Sequence, residues 1–309
     1  MSEEQRKVVD FTLYEAFIDA SKQFRVVTIQ PGQYNDPISC TLETHYLDIA
    51  PEYTALSYCW GDEGDAIVIK LQGIDWLVTK NLYAALNRIR QEAKAVPLWI
   101  DAICINQRSI SDKNHQIPLM GEIYKSAVAV IAWLGDDCAR SSEAFEIISE
   151  FSDLVAYMIL DEFSPKLADE LQFILMNDGC IWDCVFDIFK QPYWHRVWII
   201  QELCLAQDVH YMWDTAVISQ DDLIFFLDSI SHLVKYGEKN HMLIDVNDPV
   251  CKELIYIKAG YATSIIRFAK KFQDFQNPAV EGDALEEDST HSLTLSRKSE
   301  VSMSEIYSK

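Results

Sequence analysis

The most chemically suggestive stretch of this sequence sets a carboxylate beside an aromatic ring within an apolar segment, Trp194-His-Arg-Val-Trp-Ile-Ile-Gln-Glu-Leu203. Read as a helix at about 100° per residue, it gathers Val197, Ile200, Leu203 and Cys204 on one apolar face, with Trp198, Gln201, Glu202 and Leu205 on the other side. Trp198 and Glu202 are one helical turn apart and so are surface neighbours. An indole beside a carboxylate forms a floor for a flat cationic ring. The alternative is a solvated Glu202 and a Trp198 wedged against neighbouring helices, and both readings stand on spacing alone.

A second carboxylate, Asp101, directly follows the short apolar run Pro97-Leu-Trp-Ile100. In open α/β sheets the ligand crevice lies outside the carboxyl ends of the strands. If the strand ending near Cys59 neighbours the one ending at Ile100, Asp101 meets the segment Ser57-Tyr58-Cys-Trp60-Gly61-Asp62 at one edge. Asp101 then either serves a site there or caps a turn, with Asn106 satisfying local backbone. Trp60, Trp99 and Trp198 are stacking platforms or core residues. Gly61 and Gly64 loosen the loop, but neither GxGxxG nor a Walker sequence is present. His115 and His195 have no serine or cysteine at a catalytic spacing, and no GxSxG occurs. Cys180, Cys184 and His195 match no strong zinc-ligand spacing, so no metal is expected.

The elements that must position these residues follow from pattern. Residues 1–22 read as a short helical lead-in. Phe24–Ile29 is a β-rich run ended by Pro31-Gly32, and 37–47 a second strand. Tyr53–Cys59 is a compact apolar strand, and 66–78 a hairpin turning at Gln72-Gly73. Asn81–Glu92 has helical spacing, with Leu82, Ala85, Leu86 and Ile89 on one face and Thr79 placed to cap it. Residues 97–100 form a buried strand, 116–127 a helix and 128–134 a strand. This alternation predicts a parallel sheet with crossover helices. Residues 140–190 read as inserted helices, 197–206 as a helix, 209–213 as a strand and 220–272 as helical. From about residue 276 the chain is acidic, rich in Ser and Thr and poor in apolar groups, which predicts disorder.

Composition narrows the partners. The 309 residues are 49% hydrophobic and carry a formal net charge of −22. So acidic a surface repels phosphate backbones and anionic lipid, so neither nucleic acid nor a membrane is expected as a partner. A cationic protein partner or a small ligand in a locally tuned pocket is compatible with it. The opening MSEEQRKVVD lacks the apolar core of a secretory signal, and the apolar run 127–134 is too short to span a bilayer. The eight cysteines have no framework spacing and mostly sit in apolar runs, which fits free thiols in a reducing, cytoplasmic location.

Taken in order, these motifs resemble those of the fungal heterokaryon-incompatibility (HET) family. Tyr53-Thr-Ala-Leu-Ser-Tyr-Cys-Trp-Gly-Asp62 is similar to its first signature and Leu98-Trp-Ile-Asp-Ala-Ile-Cys-Ile-Asn-Gln107 to its second. Asp112-Lys-Asn-His-Gln-Ile-Pro-Leu-Met120, running on through Ile123-Tyr124 to Trp133-Leu-Gly135, resembles the third, and Arg196-Val-Trp-Ile-Ile-Gln-Glu-Leu203 a later element. The resemblance runs from about Arg25 to Trp213. It departs from the family at Asp112, where a glutamate is usual, at Pro118, and at Trp213-Asp214, where a glycine commonly follows the strand.

HET domains in turn resemble Toll/interleukin-1 receptor (TIR) domains. Ser57-Tyr58 with Gly61-Asp62 looks like the start of a TIR domain, and Trp198-Ile-Ile-Gln-Glu-Leu203 like the TIR element whose glutamate cleaves NAD. The resemblance implies an α/β, TIR-like (flavodoxin-like), mainly parallel sheet flanked by helices. An N-terminal β region and an inserted helical segment are added. The HET domain would occupy 23–215 with a helical insertion at about 140–190, followed by a helical extension over 216–275 and the tail over 276–309. It implies incompatibility and cell-death signalling through an NAD glycohydrolase that releases nicotinamide and is activated by self-assembly. NAD is then substrate, Glu202 and Asp101 are catalytic, and Ser57, Tyr58, Trp60, Gly61, Asp62 and Trp198 bind it. The rival expectations are a non-catalytic TIR-like interaction module, self-associating or engaging a protein partner, and a nucleotide sensor without turnover.

Overall fold

A computed structural model describes residues 13–62, 64–136, 140–160, 179–240 and 249–276. The tail expected to be disordered, the first twelve residues of the lead-in and the centre of the helical insertion lie outside the described residues. The chain divides into two compact units, one of residues 1–136 with 197–210, the other of 137–196 with 211–309.

The first unit is α/β. Its strands are β1 (Gln23–Ile29), β2 (Ser39–Tyr46), β3 (Thr54–Tyr58), β4 (Ala66–Leu71), β5 (Ile74–Thr79), β6 (Val96–Trp99) and β7 (Ala129–Gly135). They stand in the order β5-β4-β2-β1-β6-β3-β7. Beyond β7 come the first residues of β8 (Val209–Trp213). The sheet is mixed where a mainly parallel one is expected. β3 is parallel to both β6 and β7, whereas β1 is antiparallel to β2 and β6, and β4 to β5. The difference arises because β1 adds to β6 from outside the alternating β/α part of the chain, and no crossover helix dictates its direction.

β3, wholly buried, is the pivot. The chain leaves it to build β6 on one side and returns to build β7 on the other, with Thr54 opposite Leu98 and Tyr58 opposite Trp133. β3 and β6 are parallel with Trp99 opposite Ala55, so their carboxyl ends point to the same edge of the sheet, and the segments after Tyr58 and after Trp99 share it.

Local chemistry accounts for the flanking elements. The β4–β5 hairpin turns on Gln72 (φ 52°) and Gly73 (φ 77°), a pair of positive φ values that matches the twist of two antiparallel strands. Helix α1 (Lys80–Ile89) begins where the Thr79 hydroxyl accepts from the Leu82 N–H, and it buries Leu82, Ala85, Leu86 and Ile89. The helix expected over 116–127 is broken. Helix α3 (Ile110–Gln116) runs into a 3-10 turn at Ile117–Leu119, then α4 (Met120–Ser126), because Pro118 has no N–H to continue the ladder. The short helix α2 (Asp101–Cys104) lies between β6 and α3.

Within the described part of the lead-in, Leu13 is helical and residues 14–22 run in bends and turns. The Gln23 side chain takes the N–H groups of Ile18 and Asp19, and Phe17 and Tyr14 lie on the Arg25 guanidinium at 4.0 and 5.0 Å. Arg25 is itself buried, forked onto the Asp112 carboxylate at 2.9 and 3.0 Å, and also donates to the Cys104 and Glu15 carbonyls. Asp112 in turn accepts from the Asn106 N–H, so this pair fixes the connection that follows α2.

The second unit is mainly helical: α5 (Ser141–Leu160), α6 (Gly179–Lys190), α8 (Gln220–Asn240), α9 (Pro249–Ala259) and α10 (Tyr261–Gln276), with strand β9 (Ala216–Ser219). Phe151 meets Trp182 and Phe226 edge-on at 5.4 and 5.6 Å. Among the described residues no helix is long and apolar enough to cross a membrane.

Candidate functional site

Helix α7 (Ile199–Cys204) belongs to the first unit, and its buried face is rotated from the expected one: Leu203 and Cys204 are buried as expected, but Val197 and Ile200 are exposed and Glu202 is buried in their stead. Ile199, Glu202, Leu203 and Ala206 are buried, while Val197 and Trp198 are 77% and 54% exposed. The helix starts two residues later than expected, with Trp198 as its N-cap residue. The buried stripe follows the spacing i, i+3, i+4, i+7 from Ile199, with a glutamate at i+3. Glu202 is drawn inward by a partner remote in sequence, the Ser57 hydroxyl, which donates to its Oε2 in a short hydrogen bond. Trp198 and Glu202 therefore occupy different environments, one solvent-facing and the other 2% exposed, and the expected indole–carboxylate floor is not formed.

Ser57 itself is fully buried near the end of β3, opposite Ala132 of β7. Helix α7 comes close to α4 because residue 121 is glycine. A Cβ there would lie 3.0 Å from Gln201 Nε2 and 3.2 Å from Leu205 Cδ1. The result is a carboxylate held in a low-dielectric setting at the carboxyl end of the central strand, oriented by a hydroxyl donor. Such a group interacts with nearby positive charge more strongly than one in water.

At the same edge, the Trp60 indole N–H donates to Asp101 Oδ2 at 2.9 Å. Trp60 is 36% exposed, and Asp101 also accepts at Oδ1 from the Ala102 N–H at 2.7 Å. The structure thus joins two residues that sequence distance separates, and Asp101 fixes the orientation of the Trp60 ring. The Asp101 carbonyl accepts from Gln107 Nε2 at 2.8 Å, which ties down the turn after α2. Gly61 takes φ +79°, and the Asp62 carboxylate accepts from the Gly64 N–H at 2.8 Å. Tyr58 and Trp99 are buried in the core, with the Trp99 ring edge-on to Tyr124 at 5.3 Å, so neither ring is displayed to solvent.

Asn81, in sequence only the start of a helical segment, also belongs to this edge. Its Nδ2 donates to the Cys59 carbonyl at 2.6 Å and its Oδ1 accepts from Trp133 Nε1 at 2.9 Å. A polar residue in the first turn of an amphipathic helix looks like ordinary surface in sequence, and no spacing signal marks it. His115 and His195 are exposed, and the His195 ring stacks on Tyr261 at 6.4 Å. Among the described residues no cluster of three or more His, Cys, Asp or Glu side chains is placed to hold a metal ion.

Comparison with known proteins bears on this geometry. The family model described as heterokaryon incompatibility protein (HET) matches residues 53–202, a span that starts just before β3 and ends at Glu202. The protein named heterokaryon incompatibility protein 6, OR allele, from Neurospora crassa is 30% identical over 238 residues, covering 66% of this chain and 35% of that relative. The chain therefore spans little more than a third of the curated relative's length. No solved structure matches.

Proposed function

Residues 53–202 place this chain in the heterokaryon incompatibility (HET) family, and from that premise we propose that it acts in incompatibility and cell-death signalling by cleaving the nicotinamide–ribose bond of NAD. The observation that carries this reading is the buried Glu202 carboxylate, oriented by Ser57 at the carboxyl end of β3. The strand order β6-β3-β7-β8 supports it. Numbered from β3 with the β4–β5 hairpin left out of the count, it is the 2-1-3-4 order of a flavodoxin-like sheet, whose ligand site lies at the switch point where connections diverge to either side of the first strand. A TIR-like arrangement is proposed on that basis.

The chemistry needs little machinery. Nicotinamide leaves as a neutral ring, taking the bonding electron pair onto its nitrogen, so no general acid has to protonate it. The ribose is left with oxocarbenium-like positive charge, water adds to that carbon, and a proton goes to solvent. Glu202 stabilises the positive charge, as a preorganised carboxylate does best where water is excluded. Trp60, its indole N–H held by Asp101, offers an exposed aromatic face for one of the two bases. Because Glu202 is 2% exposed, ribose reaches it only after side chains at the edge move apart. Self-assembly is proposed to favour that opened state.

One observation favours a second reading. Glu202 is buried and hydrogen-bonded, as a purely structural carboxylate would be, and this suits a non-catalytic TIR-like module whose exposed Val197 and Trp198 meet a protein partner. Purified protein incubated with NAD, alone and fused to a chemically induced dimerisation module, separates the two. Nicotinamide release that rises on dimerisation and disappears in E202Q supports the enzyme. No release in either state supports the module.

A further inference from the structure

The loop that carries Trp60, Gly61 and Asp62 is fastened at both ends by the first turn of α1. At its start, Asn81 Nδ2 donates to the Cys59 carbonyl at 2.6 Å. At its end, the Lys80 backbone N–H, one of the helix's otherwise unpartnered N-terminal donors, reaches the Asp65 carbonyl at 2.8 Å. Asn81 is in turn fixed by the Trp133 indole, which is fully buried in β7 and donates to Asn81 Oδ1 at 2.9 Å. Both hydrogen-bonding ends of the carboxamide are thus engaged, one by the sheet and one by the loop. The loop runs close over this side chain: a Cβ at Gly61, where φ is +79°, would lie 3.4 Å from the Asn81 Cβ. Asp101, which follows β6, accepts from the Trp60 indole N–H and so holds the ring.

We propose that Asn81 is a positioning residue that transmits the fixed geometry of β7 to the Trp60 ring, and so sets the affinity of this edge for a ligand with a flat aromatic base. The ligand class rests on the NAD reading above; the positioning role does not. Three features select Asn81. It is an amide, so it accepts from an N–H donor and donates to a carbonyl at the same time, which neither aspartate nor leucine does. Its partners lie 52 and 22 residues away, so its bonds join separate parts of the unit rather than completing its own helix. The segment it holds carries the half-exposed aromatic ring of the edge.

The experiment uses the full chain labelled with 5-fluorotryptophan, its Trp60 and Trp133 resonances assigned with W60F and W133F. N81D keeps the acceptor for Trp133 but sets a carboxylate oxygen against the Cys59 carbonyl. The expected result is that the Trp133 resonance stays in place while that of Trp60 shifts and broadens. NAD is the probe for affinity. Its Kd, measured in the E202Q background, is expected to weaken about tenfold in N81D, while kcat in the otherwise wild-type chain changes less than about twofold. N81A, free of the carboxylate–carbonyl repulsion and well suited to a helix, is the second variant should N81D not fold. There both resonances are expected to shift. An unshifted Trp60 in a folded Asn81 variant overturns the positioning role, as does a fall in kcat with unchanged Kd. If the wild-type chain neither binds nor cleaves NAD, the NAD reading fails, and the Trp60 resonance alone decides the role of Asn81.

Discussion

Removing the Ser57 hydroxyl tests whether Glu202 is held as described. The bond is buried, joins an uncharged donor to a carboxylate, and links residues 145 positions apart. Hydrogen bonds to charged groups contribute about 1.5–3 kcal/mol net, so S57A is expected to lower the unfolding free energy by about that amount. For a unit of this size that corresponds to a fall of roughly 3–12 °C in melting temperature. E202Q keeps the shape and an acceptor oxygen but loses the charge, so a bond of about 0.5–1.5 kcal/mol replaces the stronger one. Because both substitutions act on one bond, their costs must not add. The double variant is expected to be less destabilised than the sum by at least about 0.5 kcal/mol. Urea unfolding of wild type, S57A, E202Q and S57A/E202Q at neutral pH measures all four corners. Strict additivity, or an S57A midpoint indistinguishable from wild type, would refute the inference that Ser57 orients this carboxylate.

At Asp101, D101N retains an acceptor for the Trp60 indole and is expected to bind NAD within about threefold of wild type, whereas D101A loses the hydrogen bond and weakens binding by roughly tenfold. Calorimetric titration checks this, and equal losses in both variants would mean that charge, not ring orientation, is what Asp101 supplies. At Asp112, D112A strands the buried Arg25 guanidinium and is expected to cost about 3–5 kcal/mol, little affected by added salt. A loss below about 1 kcal/mol in urea unfolding contradicts that reading. Burial pushes the Cys40 and Cys104 thiols up to about 12 from an ordinary 9.0. These thiols stay protonated in the folded chain while the unfolded chain ionises, so stability falls as pH rises above about 9. Under reducing conditions the wild type is expected to lose stability between pH 9 and 11 more steeply than C40A/C104A, and parallel profiles would contradict the assignment.

Features governed by neighbouring residues were legible in the sequence. The Gln72-Gly73 turn, the Thr79 cap and the buried face of α1 follow from local chemistry and alternation. The orientation of α7 did not. A helical wheel from Val197 pairs apolar residues neatly, whereas burial of Glu202 is favoured by the distant Ser57. Asn81 was hidden for the same reason, since its worth lies in the Cys59 carbonyl and the Trp133 indole rather than in its helix. Asp101 was singled out as a carboxylate at a strand end, but its partnership with Trp60 depends on β3 and β6 being neighbours. The antiparallel placement of β1 against β6 is likewise a matter of pairing between remote segments.

The central claim is tested most directly by following nicotinamide release from NAD by chromatography, using dimeriser-fused protein and its E202Q counterpart at matched concentration and confirmed fold. Release is expected to increase on induced dimerisation and to fall on the order of a hundredfold in E202Q, the loss equivalent to about 3 kcal/mol of transition-state stabilisation. Undiminished release by E202Q, or no release from the dimerised wild type, would contradict it.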